Sequence, residues 1–370
     1  MRPTLSCFGL SFMLLAVFCS GTAAQQVLPH AVSGTISFRV GNDPYEGKLL
    51  HWTQDEIFLL QSDGSLSRVN RSAATAFRSV SSHFVPLSAD VLRSQLLREF
   101  GRDYTVDTTT HYVIVRPIEK GAVWKDIFES TYRDVQRFAA QHRLPMQNAE
   151  FPLVAVVLGT QNEFVAYLSR LKKNQIPSQT LGCYDPVSNR VITFALADRE
   201  NPPQQIDSTE SLRNVIRHEA FHQAAANTVL MNRFADVPLW FHEGMALMFE
   251  NESLSSLSSS RERAISTQRD LKVQARLVLA RQPSGWLRQI VLSDDLFSTH
   301  PRVAYALSWA LVSYLNEKHH RSFVNYLTTM NRLAPFEPLS PQRRLADFTD
   351  AFGDRWDVLE VSVRTFVDQL

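Results

Sequence analysis

Cysteine is nearly absent from this 370-residue chain, occurring only as Cys7, Cys19 and Cys183. The first two fall in a leader-like N-terminus, so a single thiol is left and an internal disulfide is excluded. The fold must therefore be held by its core, and the about 345 residues that follow the leader are enough to bury one. Cys183 has no activating histidine near it in sequence, which argues against a catalytic thiol and for a packed residue in a strand-edge turn beside Tyr184. An excess of charge is also lacking. With 38 basic residues, one of them Arg2 in the leader, against 37 acidic ones, the chain carries no electrostatic footprint for nucleic acid or an anionic membrane. Past the leader, no segment approaches the about 18 apolar residues of a membrane span, so no stable membrane insertion is expected.

The leader itself is well marked. Arg2 precedes an apolar core from Phe8 to Phe18, and Ser20-Gly21-Thr22-Ala23-Ala24 supplies small residues for cleavage near Ala24. Residues 1–24 are expected to be a signal peptide, and the protein to be secreted or periplasmic. The competing reading, a membrane anchor, needs a longer apolar stretch. Phe18 before Cys19 is too bulky for a lipidation site.

Residues 27–82 are β-rich and read as a small β-barrel-like module. Within it, Ile57–Ser62 and Ser65–Val69 flank Asp63-Gly64, a hairpin signal. A structural cap is its default role. Residues 88–250 read as a βα lobe with a short helix from Ser88, strands at Tyr104–Val106 and Tyr112–Arg116, and a helix from Val123 to His142. The strand Leu153–Leu158 follows, and Thr160 and Glu163 form a capping box for the next helix. Asp185, Pro186 and Asn189 are turn formers ahead of a strand at Arg190–Phe194. Residues 251–262 are a Ser-rich loop, either a cover for a cleft or a plain linker. Residues 263–370 read as a helical lobe with amphipathic blocks at Val303–Leu315, Phe323–Leu333 and Trp356–Val367.

The chemistry concentrates in His218-Glu219-Ala220-Phe221-His222. This run lies in a segment from about Ser208 to Leu230 without proline or glycine, with Asp207 as a plausible N-cap, and reads as one helix. On a helix the two imidazoles stand one turn apart, about 40° around the axis, and both can offer a nitrogen to one ion. Glu219, about 100° from His218, can hold a water beside it. Val215, His218, His222, Ala225, Ala226 and Val229 recur at three- and four-residue spacing, which turns the histidines inward. The bland alternative is a pair of satisfied core histidines and two surface carboxylates. About twenty residues past His222 comes a second helix, entered at Pro238 and carrying His242 and Glu243. A connection of about seven residues would bring it alongside the first. Either His242 or Glu243 could be the third ligand, and at about 100° apart only one is expected to face the site. Gly244 permits close helix contact.

Pro238-Leu239-Trp240-Phe241-His242-Glu243-Gly244-Met245-Ala246 is similar to the Pro-x-Trp-x-x-Glu-Gly-x-Ala signature of peptidase-MA-like proteins, and with the histidine motif the chain resembles a gluzincin-type zinc metallopeptidase. Gly182–Pro186 with Asn189-Arg190, and Tyr305–Trp309, resemble a family of secreted bacterial proteins of unknown function that carries this site. The resemblance runs from about Thr110 to the C-terminus. It implies an α+β zincin-like fold over residues 88–370, in which a mixed sheet packs on the motif helix and a helical lobe follows. It further implies one Zn2+ ion on His218, His222 and Glu243, Glu219 as general base, and a peptide or protein as substrate. In that fold an edge strand binds extended peptide. Arg190–Phe194 is the candidate strand, with an interior position as the equal alternative. The spacing of the ligand helices is longer than in the aminopeptidase branch, and no Gly-x-Met-x-Asn segment is present, so exopeptidase activity is not implied. Tyr305, opening a downstream helix, is a candidate oxyanion donor, against the alternative of a core tyrosine with a satisfied hydroxyl. Two other functions stay open from the residues: an inactive binding or scaffold protein on the same fold, and a zinc amidase acting on non-peptide or cell-wall amides.

Overall fold

The computed structural model describes residues 34–119, 123–171, 180–195, 208–250 and 271–370. The expected signal peptide, the Asp207 cap and the Ser-rich loop lie outside the described residues. The architecture is mixed α+β, with two sheets and a helical C-terminal half.

Strands β1 (Thr35–Val40), β2 (Asp43–Trp52), β3 (Glu56–Leu60), β4 (Leu66–Asn70) and β5 (Ala74–Ser81) form an antiparallel sheet in the order β4-β3-β2-β1-β5. Its core is Ile36, Phe38, Leu49, Ile57, Leu59 and Val69. The Asp63-Gly64 turn forms as expected, with Gly64 at φ +85° and the Asp63 carboxylate accepting the Ser65 N–H at 2.9 Å. A barrel does not form. After β4 the 3-10 turn Arg71–Ala73 carries the chain across to pair β5 with β1, and among the described residues no ladder joins β4 to β5. The module is fastened to the rest of the protein: the Leu66 N–H donates to the Val187 carbonyl at 2.8 Å, and Phe58 stacks on Phe336 with centroids 4.0 Å apart.

The second sheet is built from β6 (Tyr104–Thr108), β7 (Tyr112–Pro117), β8 (Leu153–Leu158), β9 (Gly182–Asp185) and β10 (Arg190–Phe194), in the order β6-β7-β8-β10-β9. β7, β8 and β10 run parallel, and β6 and β9 are antiparallel edges. Parallel strands covered on both faces read as continuous apolar runs, and every residue of β8 is buried. On one face Val113, Val115, Val154 and Val156 pack with α1 (Ala89–Phe100, capped by Ser88) and α3 (Gln161–Arg170, capped by Thr160). On the other, Ile114, Ala155 and Val157 pack with α2 (Val123–Gln141) and the motif helix α4 (Ser208–Asn227).

Two sequence expectations are corrected here. Arg190–Phe194 is not an edge: β10 lies between β8 and β9, and among the described residues the edge beside α4 is β9. The order arises because the 186–189 turn folds β9 back on the outside of β10. In that turn Asp185 accepts the Ser188 N–H at 2.9 Å and Asn189 takes φ +59°. The buried face of α4 is also wider than the predicted stripe. His218, His222 and Ala225 of that stripe are buried, but so are Ile216, Arg217, Ala220, Phe221, Gln223 and Ala224, and Val229 is exposed beyond the helix end.

From α4 the chain passes through residues 228–238, a longer connection than expected, into α5 (Leu239–Phe249). Then come α6 (residues 271–279), α7 (Trp286–Leu292), α8 (Asp295–Thr299), α9 (Pro301–Lys318), α10 (His320–Asn331), α11 (Pro341–Phe352) and α12 (Trp356–Gln369). α5 is a nearly all-apolar helix wedged between α4 and α9. A Cβ on Gly244 would stand 2.5 Å from Val312 Cγ2 and 2.7 Å from the Ser308 carbonyl oxygen, so only glycine permits this approach to α9. Among the described residues no helix is long and apolar enough to cross a membrane.

Candidate metal centre

Helix α4 carries His218 and His222 on the border between its buried face and a cleft, with rings 4.8 Å apart. α5 brings Glu243 to them from the neighbouring helix. Its Oε2 lies 3.0 Å from His218 Nε2 and 3.7 Å from His222 Nε2, and the three side chains each offer one ligand atom within 4.8 Å of one another. Zinc bonds of about 2.0–2.1 Å on a tetrahedron set ligand atoms about 3.4 Å apart, so the set fits such an ion with small side-chain adjustments. The donor types, two imidazoles and one carboxylate, also suit it.

Electrostatics differ between the two histidines. Burial opposes charge on His218, but Glu243 and Glu250 outweigh it and hold the imidazole well above its usual pKa. His222 is pushed down to about 3 by burial and by the neighbouring His242, so its ring is neutral. Its Nδ1 is buried without a hydrogen-bond partner among the described residues, and the ring stacks on His242 at 4.2 Å. Burial works against the Glu243 charge, and the surrounding imidazoles of His222, His218 and His242 outweigh it and keep the carboxyl well below the usual range.

Glu219 points towards the sheet edge, where its Oε2 accepts the backbone N–H of Tyr184 at 2.7 Å. Burial raises its carboxyl above the ordinary value; His218 draws it back and Glu243 adds to the rise. Tyr305, on α9, faces the same cleft, with its ring 6.4 Å from that of His218. Burial and then the Glu243 charge raise its phenol well above the ordinary value, so it is a donor at neutral pH. The cleft is a cavity of about 360 Å³ whose walls come from β9, α4, the 228–238 connection, α5 and α9. Cys183 lies on β9 and also lines it.

His218, Glu219, His222, Glu243 and Tyr305 thus come together in one cavity. The expectation that His242 would turn away from the cavity is corrected. The ring lies against His222, with Nδ1 3.6 Å from Glu243 Oε1, because the cleft wraps around the first turn of α5 and takes in adjacent residues. Sequence reasoning missed Glu250, which contacts His218 Nδ1 at 3.0 Å from the opposite side to Glu243. Its signal was available: seven residues after Glu243, two helical turns on, it falls on the same face. Also missed was the support behind the site. Arg217, 2 % exposed, bonds Asp134 on α2 at 2.5 Å and the Phe249 carbonyl at the end of α5 at 3.0 Å. Gln223 pins α4 to the sheet by donating to the Val154 and Asn189 carbonyls at 2.9 and 2.7 Å.

Over residues 213–337 the chain is similar to a family described as "Protein of unknown function (DUF1570)". That span includes all five of these residues. No curated protein matches the chain.

Proposed function

We propose that this protein is an exported zinc-dependent metallopeptidase of the gluzincin type, built on a zincin-like fold. The observation that carries the reading is the convergence of His218 Nε2, His222 Nε2 and Glu243 Oε2 in one cavity with Glu219 beside them. When bound, zinc supplies a Lewis acid for the scissile carbonyl and brings the pKa of a water towards neutrality. Glu219 takes the proton of the attacking water and passes it to the leaving amine, a role suited to a carboxyl that burial raises above its ordinary value. The Tyr184 N–H holds one Glu219 oxygen and leaves the other for the proton. The Tyr305 hydroxyl donates to the oxyanion of the tetrahedral intermediate. β9, the sheet edge next to Glu219, is the strand along which an extended peptide would lie. Export rests on the leader in residues 1–24.

The direct test is metal analysis. The purified protein is expected to bind about one equivalent of zinc through a three-ligand site, and Glu243→Ala to lose it. A parent protein that binds no zinc after incubation with the ion ends the proposal. Glu250 acts as a positioning residue, fixing the His218 ring through Nδ1. Glu250→Gln is expected to weaken zinc about 10- to 100-fold in competition with a chelating indicator, because the outer carboxylate sets ring orientation and basicity. Unchanged affinity would remove Glu250 from the site.

A further inference from the structure

We infer that Arg233 is a carboxylate-recognition residue of the cleft, which makes acidic or C-terminal peptide segments the substrate class. The inference rests on the peptidase reading and narrows it. Arg233 lies on the connection between the two ligand helices and lines both the metal cavity and an adjoining cavity of about 290 Å³. It is the only Lys or Arg on either described wall, and among the described residues no carboxylate lies within ion-pair distance of it. Its guanidinium is nevertheless fixed. Nε and Nη2 donate to the Pro186 carbonyl at 2.8 and 2.5 Å, and its plane sits over the Phe234 ring at 4.7 Å. Of the five donors of a guanidinium, those on Nη1 have no partner among the described residues.

The segment that carries Arg233 is itself held rigidly. Asn232 Nδ2 donates to the Leu333 carbonyl at 2.8 Å, the Phe336 N–H donates to the Phe234 carbonyl at 2.8 Å, and Ala235 bridges Pro335. Asp185 and Asp63 act on this half-buried cation only from beyond ion-pair distance, so its spare donors can take an anionic group that enters the cleft. The other charged walls of the metal cavity are the carboxylates Glu219, Glu243 and Asp236, so an acidic ligand has one place to go. A cavity of this size is within the range of small-ligand sites, and Arg233 shares its wall with Glu219 and the three candidate ligands.

The test measures binding, independently of turnover. N-acetyl-Ala-Glu-amide, N-acetyl-Ala-Gln-amide and N-acetyl-Ala-Gln with a free C-terminus are titrated into the full chain, zinc-loaded and zinc-free, with the Arg side-chain N–H signals followed by NMR. At least one carboxylate peptide is expected to bind about 10-fold or more tighter than the uncharged one, the range of a charge-assisted hydrogen bond. Which of the two wins separates side-chain from C-terminal recognition. In Arg233→Gln the preference should fall to within about twofold, and Arg233→Lys should restore part of it. Because the preference is a ratio within each variant, a loss of affinity common to all three peptides, as from loosening of the Pro186 turn, does not change it, and partial rescue by Arg233→Lys ties the preference to the charge. Equal binding of all three peptides, no binding of any, or a preference that survives Arg233→Gln overturns the inference. Zinc uptake by the parent protein keeps the two readings apart: zinc without carboxylate preference sinks this inference alone, and an Arg233-dependent preference in a parent that takes up no zinc sinks the peptidase reading and leaves Arg233 a carboxylate-binding residue without a substrate.

Discussion

Glu219→Gln is expected to cut peptide hydrolysis by between about a hundredfold and ten thousandfold while zinc content stays at that of the parent, since general-base catalysis contributes about that much. Glutamine keeps the size of the side chain, and its amide oxygen can still accept the Tyr184 N–H that holds Glu219 against β9. The one-turn spacing of the histidines is untouched. What disappears is a carboxylate able to take a proton from water and return it to the leaving amine. Hydrolysis of labelled casein and of a mixed peptide pool, with zinc measured on the same samples, separates the possible outcomes. Loss of zinc together with activity would make Glu219 a structural residue. Equal rates in both proteins would remove it from the mechanism. The substitution Tyr305→Phe, by contrast, removes a donor and its hydrogen bond with Glu243 and leaves the proton carrier in place.

The second large effect concerns stability. Asp134→Ala is expected to destabilise the protein by about 3–5 kcal/mol, the typical result of removing one partner from a buried ion pair. Asp134 is 7 % exposed and Arg217 2 %, so water cannot replace the lost carboxylate. Arg137, the other cation on Asp134, is largely exposed and contributes little to this cost. Arg217 also holds the Phe249 carbonyl at the C-terminus of α5 and the Ser130 hydroxyl of α2, so α2, α4 and α5 meet at this one guanidinium. Loosening it shifts the end of α5, where Glu250 starts its reach to His218, and zinc affinity should fall with stability. Urea denaturation of the zinc-free protein measures the first effect, and chelator competition the second. The double variant Asp134→Ala with Arg217→Met should recover most of the stability, as an apolar replacement leaves no charge to strand. A single-variant loss below about 1 kcal/mol would mean that the pair is open to solvent.

The parts of this protein that could be read from sequence are those whose cause is local. Helix α4, the capping residues Ser88 and Thr160, the Asp63-Gly64 turn and the apolar run of β8 each follow from neighbours within a few positions, where backbone sterics and periodicity act. The meeting of His218, His222 and Glu243 needed one more step, the return of a second helix, and the Trp-Phe-His-Glu-Gly run announced it. Partners set by long-range packing were not readable. Nothing near Arg190 says that β9 rather than β10 forms the edge, because strand order depends on which chain segments arrive beside it. His242 lies on the cavity wall because the cleft is wide enough to take in adjacent residues of α5, a property of three packed helices and a sheet.

The sequence by itself therefore determined residue types and spacings: two imidazoles one turn apart, a carboxylate between them and another on the next helix, on a chain with three cysteines and no excess of charge. Tertiary structure alone decided how these groups are surrounded. It placed Glu250 behind His218, Tyr184 against Glu219, Asp134 beneath Arg217 and the Pro186 carbonyl under Arg233. The physical reason is range. Helical spacing is fixed by hydrogen bonds four residues apart, whereas desolvation and hydrogen-bond partners are fixed by whatever the rest of the chain packs against each side chain.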